Sequence, residues 1–368
     1  MCSAQEPGGG MGVYLIGGKR TAVVPRGGGF RDLSLEALGA PVVVALLEAA
    51  GIAPGQVDEV VLANAIGPGG NPARRVALAA GLPERVAGLS VDRQCAGGLD
   101  AVLLAAALIG AGMAEVVVAG GVESHSQRPE RRMPGAAAPY DAAPFTPWPE
   151  RDPDMAAAAD ALGRRLGISR ARAEDWAVAS HRKARAADMG GEVVPVAGVG
   201  RDAFARNLTP ALAARAKVVA GDVTAATAAV AADAAAFVLV VSERVAAGAG
   251  RACRLAGGAT RGSVPWEPGL APLVAMREVM GRAGIGPGDL ALAEVMEAYA
   301  VQAIACVEGA GLDPLRVNRK GGALARGHPI GASGAVLAVR AFHDLEAGSG
   351  LCAIAAAGGI GTALLLER

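Results

Sequence analysis

Cys95 and His328 stand in the two runs of this chain whose residue types and spacing could do covalent chemistry. Cys95 lies in Val91-Asp92-Arg93-Gln94-Cys95-Ala96-Gly97-Gly98-Leu99-Asp100. A β-branched lead-in stops at the cysteine, small residues follow, and the apolar stretch 101–109 predicts a buried helix. That order puts the thiol at a helix start, where unpaired N–H groups and the positive dipole end favour a thiolate. The glycines let a thioester approach the backbone. Taken alone, an apolar-flanked cysteine reads as well as core filling. His328 shifts that balance. It sits in Gly327-His328-Pro329-Ile330-Gly331-Ala332-Ser333-Gly334, on a loop between glycine and proline, and is one of only four histidines. A lone cysteine with a distant loop histidine is the pattern of a thiol nucleophile and its base.

The elements that must position these groups follow a repeat. Val91-Asp92-Arg93-Gln94, a helix, then Val116–Gly121 resembles Val317-Asn318-Arg319-Lys320, a helix, then Ile354–Gly359. Strands alternate with helices in both halves, which predicts βαβ units and parallel sheet. The expected divisions are a disordered leader over 1–12 and a first half over 13–123, completed by part of 220–246. An inserted region over 124–219 and a second half over 247–368 follow. Residues 127–153 are rich in proline and arginine and read as an extended loop, with a helical stretch over 155–187.

On these runs the chain resembles the thiolases, the group of acetyl-CoA C-acetyltransferases and 3-ketoacyl-CoA thiolases. Gly70-Asn71-Pro72-Ala73-Arg74, Gly120-Gly121-Val122-Glu123-Ser124 and Arg172–Ser180 carry the resemblance between the two main motifs. It implies an α/β fold, a five-layer αβαβα sandwich of two similar βαβ halves with an inserted loop domain that covers the active site. It implies a coenzyme A thioester as substrate, acylation of Cys95, and activation of that thiol by His328. It also implies a homodimer. The short stretch before Met155 lacks clean strand alternation and argues against a tetramer.

The chain departs from the family at defined positions. The N-E-A-F-A motif, whose asparagine holds an oxyanion-hole water, reads Met296-Glu297-Ala298-Tyr299-Ala300. Methionine cannot anchor water. In the C-terminal C-x-G-G-G-x-G stretch, registering Gly358-Gly359-Ile360-Gly361 on the last glycines places Ala355 at the acid/base cysteine. Ala357 then falls where a glycine amide serves the second oxyanion hole. Cys352 lies three residues upstream, on the opposite strand face and about 10 Å away. In the region that binds CoA, Met155 survives from H-M-G behind Asp154, and Thr227 and Ala229 stand in the T-A-G-N-A-S run. A lost acid/base costs ~10²–10⁴ in rate, and a lost oxyanion donor ~10²–10³. Acyl transfer to Cys95 is therefore expected to outlast condensation or thiolysis. Glu123 and Glu297 are the motif carboxylates that could substitute as base, although each also matches an ordinary family glutamate. A competing expectation is a catalytically degraded, acyl-CoA-binding partner subunit.

Composition narrows the remaining classes. Thirty-five basic residues balance 35 acidic ones, so no electrostatic footprint for nucleic acid or anionic membrane exists. The glycine clusters lack the phosphate-loop and dinucleotide patterns and read as turns. Five scattered cysteines without a C-x-x-C pair argue against a disulfide framework or a metal site and for a reducing cytoplasm. No signal-like apolar core opens the chain, and the longest apolar run, 101–114, is too short and too broken by glycine to span a membrane.

Overall fold

The computed structural model describes residues 12–368, so most of the expected leader lies outside the described residues. In chain order the first half contains β1 (Val13–Arg20), β2 (Val24–Pro25), α1 (Leu35–Ala50), β3 (Glu59–Ala63), α2 (Pro72–Ala79), β4 (Leu89–Val91), α3 (Gly97–Gly110) and β5 (Val116–Ser124). Next come α4 (Met155–Leu166), α5 (Arg170–Ala186), α6 (Pro210–Ala214), β6 (Val218–Ala220), β7 (Val223–Thr224), β8 (Ala232–Ser242) and α7 (Glu243–Ala246). The second half contains β9 (Cys253–Gly262), α8 (Ala271–Ala283), β10 (Leu290–Val295), α9 (Ala300–Gly309), α10 (Ala323–Arg326), α11 (Ile330–Asp344), β11 (Ser349–Ala356) and β12 (Ile360–Glu367).

Strand order is β10-β11-β12-β9-β1-β8-β5-β3-β4, the two halves meeting where β1 pairs β9. Alternation along each strand sorts side chains into layers. Val116, Val118 and Val122 of β5 face a core with α1 and α2. Val117 and Ala119 face a central core shared with α3, α11 and the inner face of β11. Leu351 and Ala353 face an outer core with α8 and α9. Helices, sheet, helices, sheet and helices make five layers.

Three sequence expectations change. The sheet is mixed: β3 runs parallel to β4 and β5, and β10 to β11, whereas β8 pairs antiparallel with both β1 and β5. The reason is that β8, distant in sequence, inserts between β1 and β5. The stretch 101–109 is not uniformly buried. Ala101, Val102, Ala105 and Ile109 are, but Leu104 is 40% exposed, because α11 covers only one side of α3. The stretch 155–187 is two helices, since Gly167 closes α4 in the left-handed conformation (φ 67°) and Ser169 caps α5.

The two central helices start side by side. A Cβ on Gly98 would stand 2.7 Å from the Ala335 nitrogen, and one on Gly334 would collide with Leu99 N. Only glycine permits that approach. It brings the run before α3, with Cys95, against the run before α11, with His328. No described helix is long and apolar enough to cross a membrane.

Candidate active site

β4 ends at Val91, and the chain turns through Gln94, which adopts φ 49°. That left-handed conformation is costly for a residue with a side chain. The Asp92 carboxylate supports it, accepting from Gln94 N (2.8 Å) and Gln94 Nε2 (3.1 Å). Cys95 follows in a single 3₁₀ turn that leads into α3. Opposite, His328 N donates to Val230 O (2.7 Å) just before β8.

His328 Nε2 lies 3.1 Å from Cys95 Sγ. Its Nδ1 lies 2.6 Å from Ser333 Oγ, and that hydroxyl donates to Pro329 O (3.2 Å). With its proton used there, Ser333 accepts from Nδ1–H. The Nε2 lone pair is left facing the Cys95 thiol. The pair is thus built as a neutral base against a neutral acid. Burial pushes Cys95 up to about 12. Its own N–H and that of Ala357 pull back toward the thiolate, while Glu123 and Asp92 oppose it. Burial, helped by the charge of His125, lowers His328 to about 3. Burial thus opposes the thiolate expected from the helix-start position.

The sign gives a prediction. With the thiol near 12 and the imidazole near 3, Cys95 stays protonated across the neutral range. Because His328 takes the thiol proton as sulfur attacks, alkylation by iodoacetamide is expected to be level between about pH 5 and 9, whereas in His328→Ala it should be slower and climb about tenfold per pH unit. A wild-type rate that climbs in the same way would contradict the role of His328 as base.

The other expected residues divide. Ala357 keeps what matters of the position marked as altered, because a backbone N–H does not depend on the side chain. That N–H faces the Cys95 sulfur from the β11–β12 turn, where Gly358 and Gly359 take positive φ. Ala355 pairs with Gly361 and offers only a methyl group. Met296 is buried in the central core, its N–H bound to Ala353 O. Cys352 lies in that same core, its thiol 3.5 Å from Leu337 O.

Both candidate bases are occupied. Glu123 accepts from Asn64 Nδ2 (2.7 Å), Ala65 N (3.0 Å) and Gly331 N (3.0 Å), tying the loop after β3 to the histidine loop. Burial nonetheless raises it to about 7. Glu297 accepts from Trp176 Nε1 (3.0 Å), Ser180 Oγ (2.7 Å), Asn318 Nδ2 (3.0 Å) and Leu324 N (3.2 Å). These carboxylates hold loops together, and the structure does not free either for proton transfer.

In the expected CoA-binding region, Met155 opens α4 behind Asp154, which caps Ala156 N (2.9 Å) and Ala157 N (3.1 Å). Thr227 is buried, its hydroxyl spent on Thr224 within its own turn. Ala229 N binds Ala298 O (2.9 Å), which sets Tyr299 against Ala228. Sequence reasoning passed over Tyr299. Burial, then the charges of Asp154 and Cys95, push its phenol up to about 12. Its ring packs near Ala156 and Ala159. Ser333 was also missed, although it lies inside the histidine motif, as was His125, the residue directly after Gly120–Ser124.

Two family descriptions match the chain: thiolase, N-terminal domain, over residues 13–244, and thiolase, C-terminal domain, over 251–368. A putative acetyl-CoA C-acetyltransferase, YhfS of Bacillus subtilis (strain 168), is 39% identical over 373 residues, covering 97% of this chain and 99% of that protein. An acetyl-CoA acetyltransferase of Cupriavidus necator is 37% identical over 395 residues, covering 97% and 99%. Among solved structures, an Ascaris suum thiolase, Acat5, in complex with coenzyme A superposes with a TM-score of 0.91 at 27% identity, covering 97% of this chain and 100% of that one.

Proposed function

Because this chain belongs to the thiolase family, we propose that it is an acyl-CoA-dependent acyltransferase working through an acyl-Cys95 thioester, with its carbon–carbon step slow. The observation that carries the proposal is the 3.1 Å approach of the His328 Nε2 lone pair to the Cys95 thiol. As sulfur attacks the thioester carbonyl, His328 takes the thiol proton. The carbonyl oxygen then gathers charge within reach of the Cys95 and Ala357 N–H groups. Collapse releases the CoA sulfur, which takes the proton from His328, and the acyl group stays on Cys95. A pair neutral at rest suits this sequence, since the proton moves only when the thioester arrives.

Transfer to a carbon acceptor needs a second base. Ala355 and the core-buried Met296 support the reading that this step is impaired. The same two residues favour a second reading, an acyl-CoA-binding partner subunit that has lost catalysis. Incubation with acetyl-CoA, digestion and mass analysis separate the two. An acetyl adduct is expected on Cys95. No adduct would favour the partner subunit. An adduct on Cys253, Cys306 or Cys352 would overturn the assignment of the nucleophile.

We also propose a homodimer in the cytoplasm. β4 ends the sheet with Leu89 45% exposed, and Leu104 on α3 is 40% exposed, which supports burial against a second copy. Light scattering is expected to give twice the chain mass. A monomer at micromolar concentration would contradict it.

A further inference from the structure

The site as described has a nucleophile and its base, and nothing at Ala355 to move a proton for a second acyl group. One buried imidazole remains unused. His125 directly follows β5 and is only 9% exposed. Among the described residues its Nε2 is buried with no hydrogen-bond partner, as is that of His181, which lies on α5 away from Cys95 and uses its other nitrogen. The other three histidines each engage a ring nitrogen: His181 with Arg206 N, His343 with Gly18 O, and His328 with Cys95 and Ser333. A buried polar atom without a partner calls for an explanation, and a substrate is one.

The strand pattern places His125 on the side of Glu123, since Ser124 and Ser126 on either side of it both bind Asp233. Val117 and Ala119 face the central core. Two residues on, Gly121 abuts Gly331, and two further, Glu123 accepts from Gly331 N at 3.0 Å. Gly331 is three residues after His328. His125 is the next position on that face, one step beyond Glu123. The pairing of β5 with β8 agrees. Ser124 lies opposite Asp233, and the chain just before β8 carries His328, through the hydrogen bond to Val230 and the bridge to Ala231. The charge of His125 also bears on His328.

We infer that His125 is the acid/base of the carbon–carbon step, in place of the cysteine absent at Ala355. This rests on the acyl-Cys95 reading above. In condensation, His125 Nε2 takes a proton from the α-carbon of a second acyl-CoA. The C–H electron pair attacks the carbonyl carbon of acyl-Cys95, the C–S bond breaks, and sulfur leaves with that pair. The proton on His125 ends on the Cys95 sulfur, relayed by His328. Thiolysis runs the same steps in reverse. Burial and the charges of Arg128 and Arg26 keep the imidazole neutral at neutral pH, so it enters the step able to accept.

Exchange of the acetyl α-protons of acetyl-CoA into deuterated water reads this base directly. Wild type is expected to exchange, and His125→Gln to lose exchange by ~10²–10⁴ while Cys95 still becomes acetylated. Adding Ala355→Cys to that variant is expected to restore exchange, which only a folded site can do. His125→Asn should behave as His125→Gln does. Exchange unchanged in His125→Gln or absent in wild type would each overturn the role of His125. Each would leave acyl transfer standing as long as the Cys95 adduct forms. Failure of that adduct in wild type would instead sink the acyl-enzyme reading itself.

Discussion

Cys95→Ser is expected to lose CoA release from acetyl-CoA by about 10⁴-fold or more, the scale on which a nucleophile acting as one unit with its base fails. The geometry makes the loss severe. His328 is lowered to about 3 and its Nδ1–H is fixed on Ser333, so it is a weak base. It can draw a proton from a polarisable thiol during attack, but far less readily from a hydroxyl. The variant should fold, since the substitution removes little volume beside a 3₁₀ turn that is only partly buried. Intact mass after incubation with acetyl-CoA is the check. A serine variant that still gains an acetyl group would place the acceptor elsewhere.

Ala355→Cys is expected to raise thiolysis of acetoacetyl-CoA over wild type, by less than the full ~10²–10⁴ worth of a positioned acid/base because His125 already moves the proton. Position 355 pairs with Gly361 on β12, two residues before the Ala357 N–H that faces the Cys95 sulfur. Because that N–H is intact, the gain need not wait on a second repair at Ala357. Met296→Asn should add less. It places a polar amide into a site that is now apolar core, and burying that amide costs about 1–3 kcal/mol unless it finds a partner. Initial rates of wild type, Ala355→Cys and the Ala355→Cys/Met296→Asn double variant decide this. No gain from Ala355→Cys would mean that the register of the last glycines misplaces position 355, or that proton transfer does not limit the reaction.

What the sequence disclosed and what it hid differ in kind. Cys95 and His328 stood out because glycine, proline and a broken apolar period mark a turn and a loop where core packing does not explain the side chain. The five layers followed from two copies of one strand–helix–strand pattern. The pairing of β8 was hidden, since Ala232–Ser242 is buried throughout and carries no alternation from which to read a neighbour or a direction. The charge state of the pair was hidden too, because the desolvation that sets it arises only when α3, α11 and β11 close around the thiol. The amide of Ala357 was hidden for a related reason: a motif records side chains, whereas an N–H is the same on alanine as on glycine. His125 was invisible as a candidate because its place beside the histidine loop depends on how β5 lies against the start of α11.

Wild type is expected to run the two halves of its reaction at very different rates. Rapid mixing with acetyl-CoA should release one equivalent of CoA per chain in a burst, with the acetyl group on Cys95. Thiolysis of acetoacetyl-CoA by the same protein should run slower by ~10²–10⁴. Thiolysis at an ordinary enzyme turnover of roughly 1–10³ s⁻¹, with no burst that outruns it, would contradict an acyltransferase whose carbon–carbon step is slow.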